Sequence, residues 1–325
     1  MTPLRALRTL RTSSQPQAAL SRTVTASQFG CRLLSTSRIA MAAKKNDWSA
    51  DQYLKFNDER TRAVHDLVNR IPLPGGRFPV SEATSDLRII DLGCGPGNST
   101  AVLAERFPGA DVSGVDSSPN MIEKAKKSLP SIGFGLADLR TYDPTEGAGK
   151  APTLLLANAV FQWISLDQRL PTILRLFNTL PSGGVLAYQV PDNKAERTHQ
   201  AMGEVGRGAA PGTHNGPWVP TLKDLHDRDP IESVEQIYDA LVPHSASVDV
   251  WHSVYNHVML RGAADIVEWM RGTGLQPWIN ALPDDATKQA FLQAYEKRLG
   301  ELYETRVDGT VLIHYPRLFV VAVKK

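Results

Sequence analysis

The segment RIIDLGCGPGNST, residues 88–100, combines an acid with three closely spaced glycines. The apolar residues before Asp91 and the helix-like sequence after Gly97 predict a strand, a tight turn and a helix. Because glycine lacks a Cβ atom, a backbone turn made by Gly93, Gly95 and Gly97 can approach a ligand closely. The chemistry to be explained is therefore the recognition of a nucleotide-like ligand.

The spacing of these glycines distinguishes a dinucleotide site from a site for a ligand without phosphate. A dinucleotide fingerprint is Gly-x-Gly-x-x-Gly, whereas this turn is Gly-x-Gly-x-Gly and Asn98 occupies the third glycine position. The carboxylate of Asp91 would repel a pyrophosphate and attract an amino group. Asp116, at the end of the next predicted strand, is suited to accept hydrogen bonds from a ribose diol. Together these features favour S-adenosylmethionine, a sulfonium-bearing amino acid joined to a nucleoside without phosphate.

The elements that position these residues alternate regularly over residues 85–193, from RIIDLGCG to GVLAYQVPDN. Five strand-like segments alternate with helical segments, which predicts an α/β, doubly wound, parallel sheet with helices on both faces. Residues 194–325 instead read as helices and loops, a strand SVDVWHSVYNHVM, more helices and a final strand, and the stretch at 206–220 reads as a mobile surface loop. We expect a mostly parallel, seven-stranded Rossmann-like sheet with an antiparallel edge strand and a helical cap insertion.

The N-terminal residues differ in charge from the rest of the chain. Residues 1–46 contain six Arg, two Lys and no acid, whereas residues 47–325 contain 28 basic and 34 acidic residues. The Arg-rich, Ser/Thr-rich start is typical of a mitochondrial transit peptide, and a disordered basic tail is the alternative. We predict a targeting leader at 1–43 and one folded domain at 44–325, located in the mitochondrial matrix, with Met41 as the start of a cytoplasmic form.

Composition also limits the partners. The acidic body argues against binding a phosphate backbone, so we expect no nucleic acid. No apolar run approaches the roughly 18 residues of a membrane helix, so we expect no membrane partner. The two cysteines, Cys31 and Cys94, cannot make a disulfide framework, which fits a reducing compartment. We expect a monomer without a bound metal.

Four stretches resemble the motifs of class I S-adenosylmethionine-dependent methyltransferases. These are DLGCGPGNST at 91–100, GVDSSPNMI at 114–122, ADLRTY at 137–142, and LLANAVFQWI after the fourth strand. Over residues 47–325 the chain is similar to the trans-aconitate methyltransferases, in DWSADQYLKFNDERTR, NAVFQW, QVPDN, TGLQPW and YPRLFVVA. Bacterial members begin near Asp47, so the basic leader is a departure and the resemblance leaves the location open.

The resemblance implies that residues at the carboxyl ends of the first four strands hold the cofactor. They are, for the methionine portion, Asp91, Gly93, Gly95 and Gly97; for the ribose, Asp116; for the adenosine, Ser117 and Met121; for the adenine edge, Asp138 and Leu139; and beneath the sulfonium, Asn158, Phe161, Gln162 and Trp163. Gly95 and Gly97 could instead serve only the turn, and Met121 and Trp163 could be packing residues.

A carboxylate substrate needs positioning more than proton transfer, because it is ionised at neutral pH. Arginine grips a carboxylate with two parallel hydrogen bonds. Arg317, in YPRLF at a strand start, is the favoured substrate residue. The other candidates are His257, Tyr255, Arg60 and Trp163, followed by Arg62 and Arg271. The last two could be solvated surface residues, and His257 could be a core histidine.

We therefore expect methyl transfer from S-adenosylmethionine to a carboxylate of a small polycarboxylic acid such as trans-aconitate, giving a monomethyl ester. Two alternatives stay open. One is a methyltransferase acting on a quinone precursor or an amine, which would need a general base. The other is a non-catalytic methyltransferase-like factor for mitochondrial assembly.

Overall fold

The computed structural model describes residues 57–73, 84–146 and 150–325, with only the backbone given for 57–60. The predicted leader, the Met41 start and Cys31 lie outside the described residues. The side chain of Arg60 also lies outside them, so its predicted role is not addressed by the structure.

Seven strands form one sheet in the order β3-β2-β1-β4-β5-β7-β6. The strands are β1 Arg88–Leu92, β2 Asp111–Asp116, β3 Gly133–Leu136, β4 Leu154–Asn158, β5 Val185–Pro191, β6 Ser245–Met259 and β7 Val311–Lys324. The first five pair in parallel, while β7 runs antiparallel to both β5 and β6. The predicted mostly parallel sheet with antiparallel pairing at one edge is confirmed.

Helices cover both faces of the sheet, as the alternating sequence predicts. In the described residues they are α1 Asn57–Val68, α2 Asn98–Arg106, α3 Pro119–Ser128, α4 Leu166–Asn178, α5 Arg197–Gly206, α6 Val219–Leu222, α7 Val234–Leu241, α8 Ala263–Arg271, α9 Gln276–Ala281 and α10 Asp285–Leu302. Of these helices, none is both long enough and apolar enough to cross a membrane.

The core lies in two layers, one on each side of the sheet. One face packs against α1, α2 and the cap helices, with Ala63, Val64 and Leu67 of α1 fully buried there. The other face packs against α4 and α7 through residues such as Phe177 and Ile237. Because both faces are covered, β4 and β5 are buried along almost their whole length and direct their ends, rather than their faces, towards the site.

The segment 206–220, predicted as a surface loop, consists of turns and bends from Arg207 as far as Pro217, but the prediction is wrong at the end of the segment, where Trp218 is buried and Val219 begins α6. Trp218 is buried, its indole N–H donates to the carbonyl oxygen of Val205 at 2.8 Å, and its ring packs edge-on against Phe291 at 5.9 Å. A large aromatic ring stabilises the fold more when it is buried than when it is solvated, so this Gly- and Pro-rich segment folds into the cap.

Candidate active site

A cavity of about 940 Å³ opens at the carboxyl edge of the parallel strands. The turns after β1, β2 and β4 form one side of it, and α8, α9 and the segment 226–228 form the other. Strand order reverses between β1 and β4, and ligands bind at such a point in open α/β sheets. The volume suits a small-molecule site, for which about 300–1,000 Å³ is usual.

The glycine turn forms part of the cavity wall through Gly93 and Gly95. Gly95 has φ +54°, and a Cβ added there would meet no atom within 4 Å, so its bare backbone faces open space. A Cβ on Gly93 would come within 2.5 Å of the Val160 side chain. Gly97 does not line the cavity; with φ +100° it forms the N-cap of α2, so its role here is in the turn.

Asp116 lies at the end of β2 and lines the cavity, as predicted. Its Oδ2 accepts a hydrogen bond from the Gly95 backbone N–H at 2.9 Å, and its Oδ1 accepts one from the Ser118 N–H at 2.8 Å. The Ser118 hydroxyl in turn caps α3 by accepting from the Met121 N–H at 3.3 Å. The carboxylate is thereby held in one orientation beside the glycine turn.

Asp91 does not line the cavity, which corrects the expectation that it faces the ligand. Its side chain is fully buried beneath the turn, and its Oδ2 accepts hydrogen bonds from the hydroxyls of Ser99 at 2.7 Å and Thr100 at 2.6 Å. Burial raises the pKa of Asp91 to about 7, and the two hydroxyls oppose this rise only in part. The residue therefore ties β1 to the first turn of α2.

The raised pKa of Asp91 predicts a pH effect on stability. The folded state holds this proton more tightly than the unfolded chain, so the proton's contribution is present at low pH and is lost as pH rises through about 7. The difference in unfolding free energy, Asp91→Asn minus parent, should therefore be larger at about pH 8 than at about pH 4, by at least about 1 kcal/mol. Urea unfolding at several pH values measures this, and parallel pH curves for the two proteins would contradict it.

Most of the other predicted cofactor residues also line the cavity. They are Ser117, Met121, Asp138, Leu139, Asn158, Gln162 and Trp163. Phe161 is an exception, because its ring is fully buried and packs edge-on against Tyr188 at 5.2 Å. Arg140, which sequence reasoning missed, also lines the cavity and binds both carboxylate oxygens of Asp138, which lowers the pKa of that acid.

The turn after β4 has an unusual backbone. Ala159 has φ +58°, a conformation that residues with a Cβ adopt rarely. Its N–H donates to the carbonyl oxygen of Gln189 at 2.9 Å, and its own carbonyl accepts from the Gln162 side-chain amide at 2.6 Å. These bonds hold the turn so that Asn158 and Gln162 both border the cavity.

Two of the predicted substrate residues lie away from the cavity. The Tyr255 hydroxyl donates to Asp66 at 2.6 Å, and His257 packs against the Trp269 ring at 4.5 Å between centroids. Both lie on β6, and β7 separates that strand from β5 and the site. Their predicted role in substrate binding is therefore wrong, and both are packing residues.

Of the three remaining arginine candidates, one lines the cavity and two make contacts elsewhere. Arg317 lines the cavity, while Arg62 stacks on the Tyr255 ring at 5.0 Å and Arg271 pairs with Glu268 at 3.2 Å. The Arg317 guanidinium is buried, lies over the Tyr315 ring at 5.1 Å and donates from Nη1 to Gln189 Oε1 at 2.9 Å. Arg317 is thus the candidate that the fold brings to the cavity.

Sequence reasoning missed two residues on the cap side, Arg228 and His199, which both line the cavity. Arg228 donates to Asn193 Oδ1 at 2.5 Å and to the Pro191 carbonyl at 3.3 Å. Burial, with the Arg228 charge, lowers the pKa of His199 to about 3, so this imidazole is neutral at physiological pH. The motif QVPDN, which ends in Asn193, pointed to this region, but nothing local in the sequence distinguished Arg228.

The cavity therefore has two ends of opposite charge. Asp116 and Asp138 lie beside the turns after β2 and β3, where Arg140 pairs with Asp138. Arg228 and Arg317 lie at the end of β5 and on the cap side, where Asp227 also lines the cavity and pairs with Lys194 at 3.4 Å. The open backbone face of Gly95 beside the fixed carboxylate of Asp116 fits a ribose and a methionine tail. With its strand order, this site defines a class I methyltransferase whose cofactor is S-adenosylmethionine.

Comparison with known proteins gives the narrower assignment. A model described as "Methyltransferase domain" matches residues 89–184. A trans-aconitate 2-methyltransferase of Rhizobium etli is 45% identical over 278 residues, covering 85% of this chain and 99% of the relative. One of Agrobacterium fabrum is also 45% identical, over 283 residues, covering 86% and 99%. The chain belongs to the trans-aconitate 2-methyltransferase family.

The solved structure of the phosphoethanolamine N-methyltransferase 2 of Haemonchus contortus, in complex with S-adenosyl-L-methionine, aligns with this chain with a TM-score of 0.41 and 18% identity, covering 81% of this chain and 52% of that one.

In the described part of the chain, no group of three His, Cys, Asp or Glu side chains is arranged to hold a metal ion.

Proposed function

We propose that this protein transfers a methyl group from S-adenosylmethionine to a carboxylate of trans-aconitate, forming a monomethyl ester. The observation that carries the proposal is the buried guanidinium of Arg317 in the same cavity as the Asp116 carboxylate. One end of the cavity suits a nucleoside with a cationic tail, and the other suits an anion. The relatives at 45% identity have the matching name.

The bound cofactor supplies a methyl group activated by a positively charged sulfur. The acceptor carboxylate, with an ordinary pKa near 4, is already ionised at pH 7, so the protein need not remove a proton. Its residues act by orienting the reactants, since holding two reactants in line can lower the activation barrier by roughly 7–11 kcal/mol. A cavity that excludes water also favours methyl transfer, because the negative charge of the carboxylate and the positive charge of the sulfonium both disappear in this step.

A chain of hydrogen bonds connects the two ends of the cavity. Arg317 donates to Gln189 Oε1 at 2.9 Å, and the Gln189 amide donates to Asn158 Oδ1 in a short bond. Asn158 borders the cavity at the end of β4, on the side of the glycine turn. The residue proposed to hold substrate is therefore braced against the turn proposed to hold the cofactor.

An amine or a phenol acceptor would make a demand on the two histidines that line the cavity, His199 and His226, that a carboxylate does not. Those acceptors require loss of a proton, and a general base works best when its pKa is near the operating pH. His199, with its pKa lowered to about 3, is a poor base at neutral pH. A carboxylate acceptor makes no such demand.

Incubation with S-adenosylmethionine labelled in its methyl group tests the proposal. Trans-aconitate should accept the label as a base-labile ester, and a panel of amines and quinone precursors should not. Labelling of an amine or phenol alone would replace the proposal with the first alternative. Cofactor binding without labelling of any acceptor would support the non-catalytic one.

We also propose that residues 1–43 direct the protein to the mitochondrial matrix, on the strength of eight basic and no acidic residues among the first 46. A fluorescent protein fused after Ala43 should enter mitochondria. The same fusion with Arg5, Arg8 and Arg11 changed to Gln should stay in the cytosol. Cytosolic fluorescence from the unaltered fusion would contradict the proposal.

A further inference from the structure

We infer that Arg228 is a second carboxylate anchor, so that Arg228 and Arg317 each hold one non-reacting carboxylate and the third carboxylate of the substrate is the one methylated. The inference rests on the proposed function and extends it. It makes Arg228 the residue that distinguishes tricarboxylates from dicarboxylates.

The first observation is that, among the residues the structure describes, neither of these buried guanidiniums has an anionic partner. Arg228 is 8% exposed and Arg317 is 5% exposed. Their hydrogen bonds go to neutral oxygens, namely those of Gln189, Pro191 and Asn193, and neither forms a salt bridge within the described residues. Arginine is almost never buried unless paired, because desolvating a charge is costly. Two such cations bordering one cavity call for two negative charges in the ligand.

The second observation is that both arginines belong to the same end of the cavity. Pro191, whose carbonyl accepts from Arg228, is the register partner of Arg317 across the β5 and β7 pairing. Both guanidiniums therefore bond to residues near the carboxyl end of β5, Arg317 to Gln189 and Arg228 to Pro191. A compact tricarboxylate can place two carboxylates at this end while its third extends towards the glycine turn.

The acidic residues close to Arg228 are engaged elsewhere. Asp227 also lines the cavity, but its carboxylate lies 3.4 Å from the Lys194 ammonium, and the same ammonium donates to the Arg228 carbonyl. Asp192 lies 3.0 Å from His252. These pairs leave the Arg228 charge available to a ligand.

The segment that carries Arg228 is fixed in place before any substrate arrives. Arg169, itself buried, donates to the Pro230 carbonyl at 2.8 Å and to Glu232 at 2.9 Å. It also donates to the Phe161 carbonyl at 2.9 Å in the turn after β4. Arg169 thus clamps the arginine-bearing segment to the turn that borders the methyl-transfer end, and little order remains to be gained on binding.

Electrostatics determine which carboxylate should react. Methyl transfer removes the negative charge of the acceptor, so a cation bound to that carboxylate would stabilise the reactant more than the ester. Cations on the other two carboxylates impose no such penalty and only aim the third. Of the other cavity arginines, Arg140 is already bound to both oxygens of Asp138. The unpaired carboxylate is consequently the best nucleophile.

Three dicarboxylates test the inference, because each is trans-aconitate with one carboxyl group removed: mesaconate, itaconate and glutaconate. The variants are Arg228→Gln, which keeps an amide donor for Asn193, and Arg228→Lys. Arg261→Gln is the matched control, since that side chain is exposed and pairs with Asp265 outside the cavity. Binding of each acid to the protein saturated with S-adenosylhomocysteine is measured by calorimetry, alongside kcat and KM and the melting temperature.

We expect Arg228→Gln to weaken trans-aconitate binding and to lower kcat/KM by about 30-fold, the usual size of a lost charge-assisted contact. For the one dicarboxylate that lacks the carboxylate held by Arg228, the loss should be under about threefold. Arg228→Lys should recover part of the loss, and Arg261→Gln should behave as the parent does.

Three outcomes would overturn the inference: unchanged binding in Arg228→Gln, an equal loss for all four acids, or no binding of trans-aconitate by the parent. The proposed function fails separately, if the parent binds trans-aconitate but does not methylate it. In that case the calorimetric comparison still decides the role of Arg228.

Discussion

Replacing Arg317 by alanine should lower kcat/KM for trans-aconitate by 2 kcal/mol or more, about thirtyfold. The guanidinium is buried at the cavity wall and is supported by Gln189 and the Tyr315 ring, so its position is set before substrate binds. Energy from binding a non-reacting carboxylate can be used to orient the reacting one, so KM should rise and kcat should fall. Affinity for S-adenosylmethionine should change little.

Controls separate binding from folding in this experiment. Arg317→Lys should recover only part of the activity, because an ammonium cannot supply two parallel bonds. Arg306→Ala removes the same charge from an exposed pair with Glu304 and should leave activity unchanged. If Arg317→Ala melts as the parent does and still methylates trans-aconitate at the parental rate, Arg317 is not an anchor.

Replacing Asp116 by alanine should weaken binding of S-adenosylmethionine and of S-adenosylhomocysteine by about 1.5–3 kcal/mol, the cost of losing charge-assisted hydrogen bonds. The variant loses a carboxylate that faces the cavity and also frees the backbone N–H groups of Gly95 and Ser118. Both effects act on the cofactor end of the site. Calorimetric titration with each ligand measures the loss.

Asp285→Ala is the matched control for this change, since its side chain is almost fully exposed at the start of α10. It should bind both ligands as tightly as the parent does. Parental affinity in Asp116→Ala, or binding of NADH in place of S-adenosylmethionine, would contradict the assignment of Asp116 to the ribose.

The sequence alone determined the parts of this protein that are local in the chain. The strands of the first half have 4 to 7 residues and its helices 9 to 13, so their hydrophobic period and glycine spacing are written in consecutive positions. The glycine turn, the acid at the end of β2 and the final strand pair could therefore be predicted. The spacing of Gly93, Gly95 and Gly97 is also enough by itself to exclude a dinucleotide fingerprint.

Only the tertiary structure decided which of two similar residues faces the ligand. Asp91 and Asp116 both lie at or next to the carboxyl end of a parallel strand, yet the first is enclosed beneath the turn and the second borders the cavity. Arg317, Tyr255 and His257 all lie on the terminal strands, and the order β5-β7-β6 brings only the first to the site. Strand order is set by packing of the whole sheet, which no local pattern encodes.

The cap side of the site depends even more on long-range contacts. Arg228 reaches the Pro191 carbonyl from 37 residues further along the chain, in a segment with no regular period. Its place depends on the buried pair of Arg169 and Glu232, which are 63 residues apart. Side chains in an irregular segment acquire their surroundings only when distant elements pack, so the folded chain, and not a local pattern, decided this side of the site.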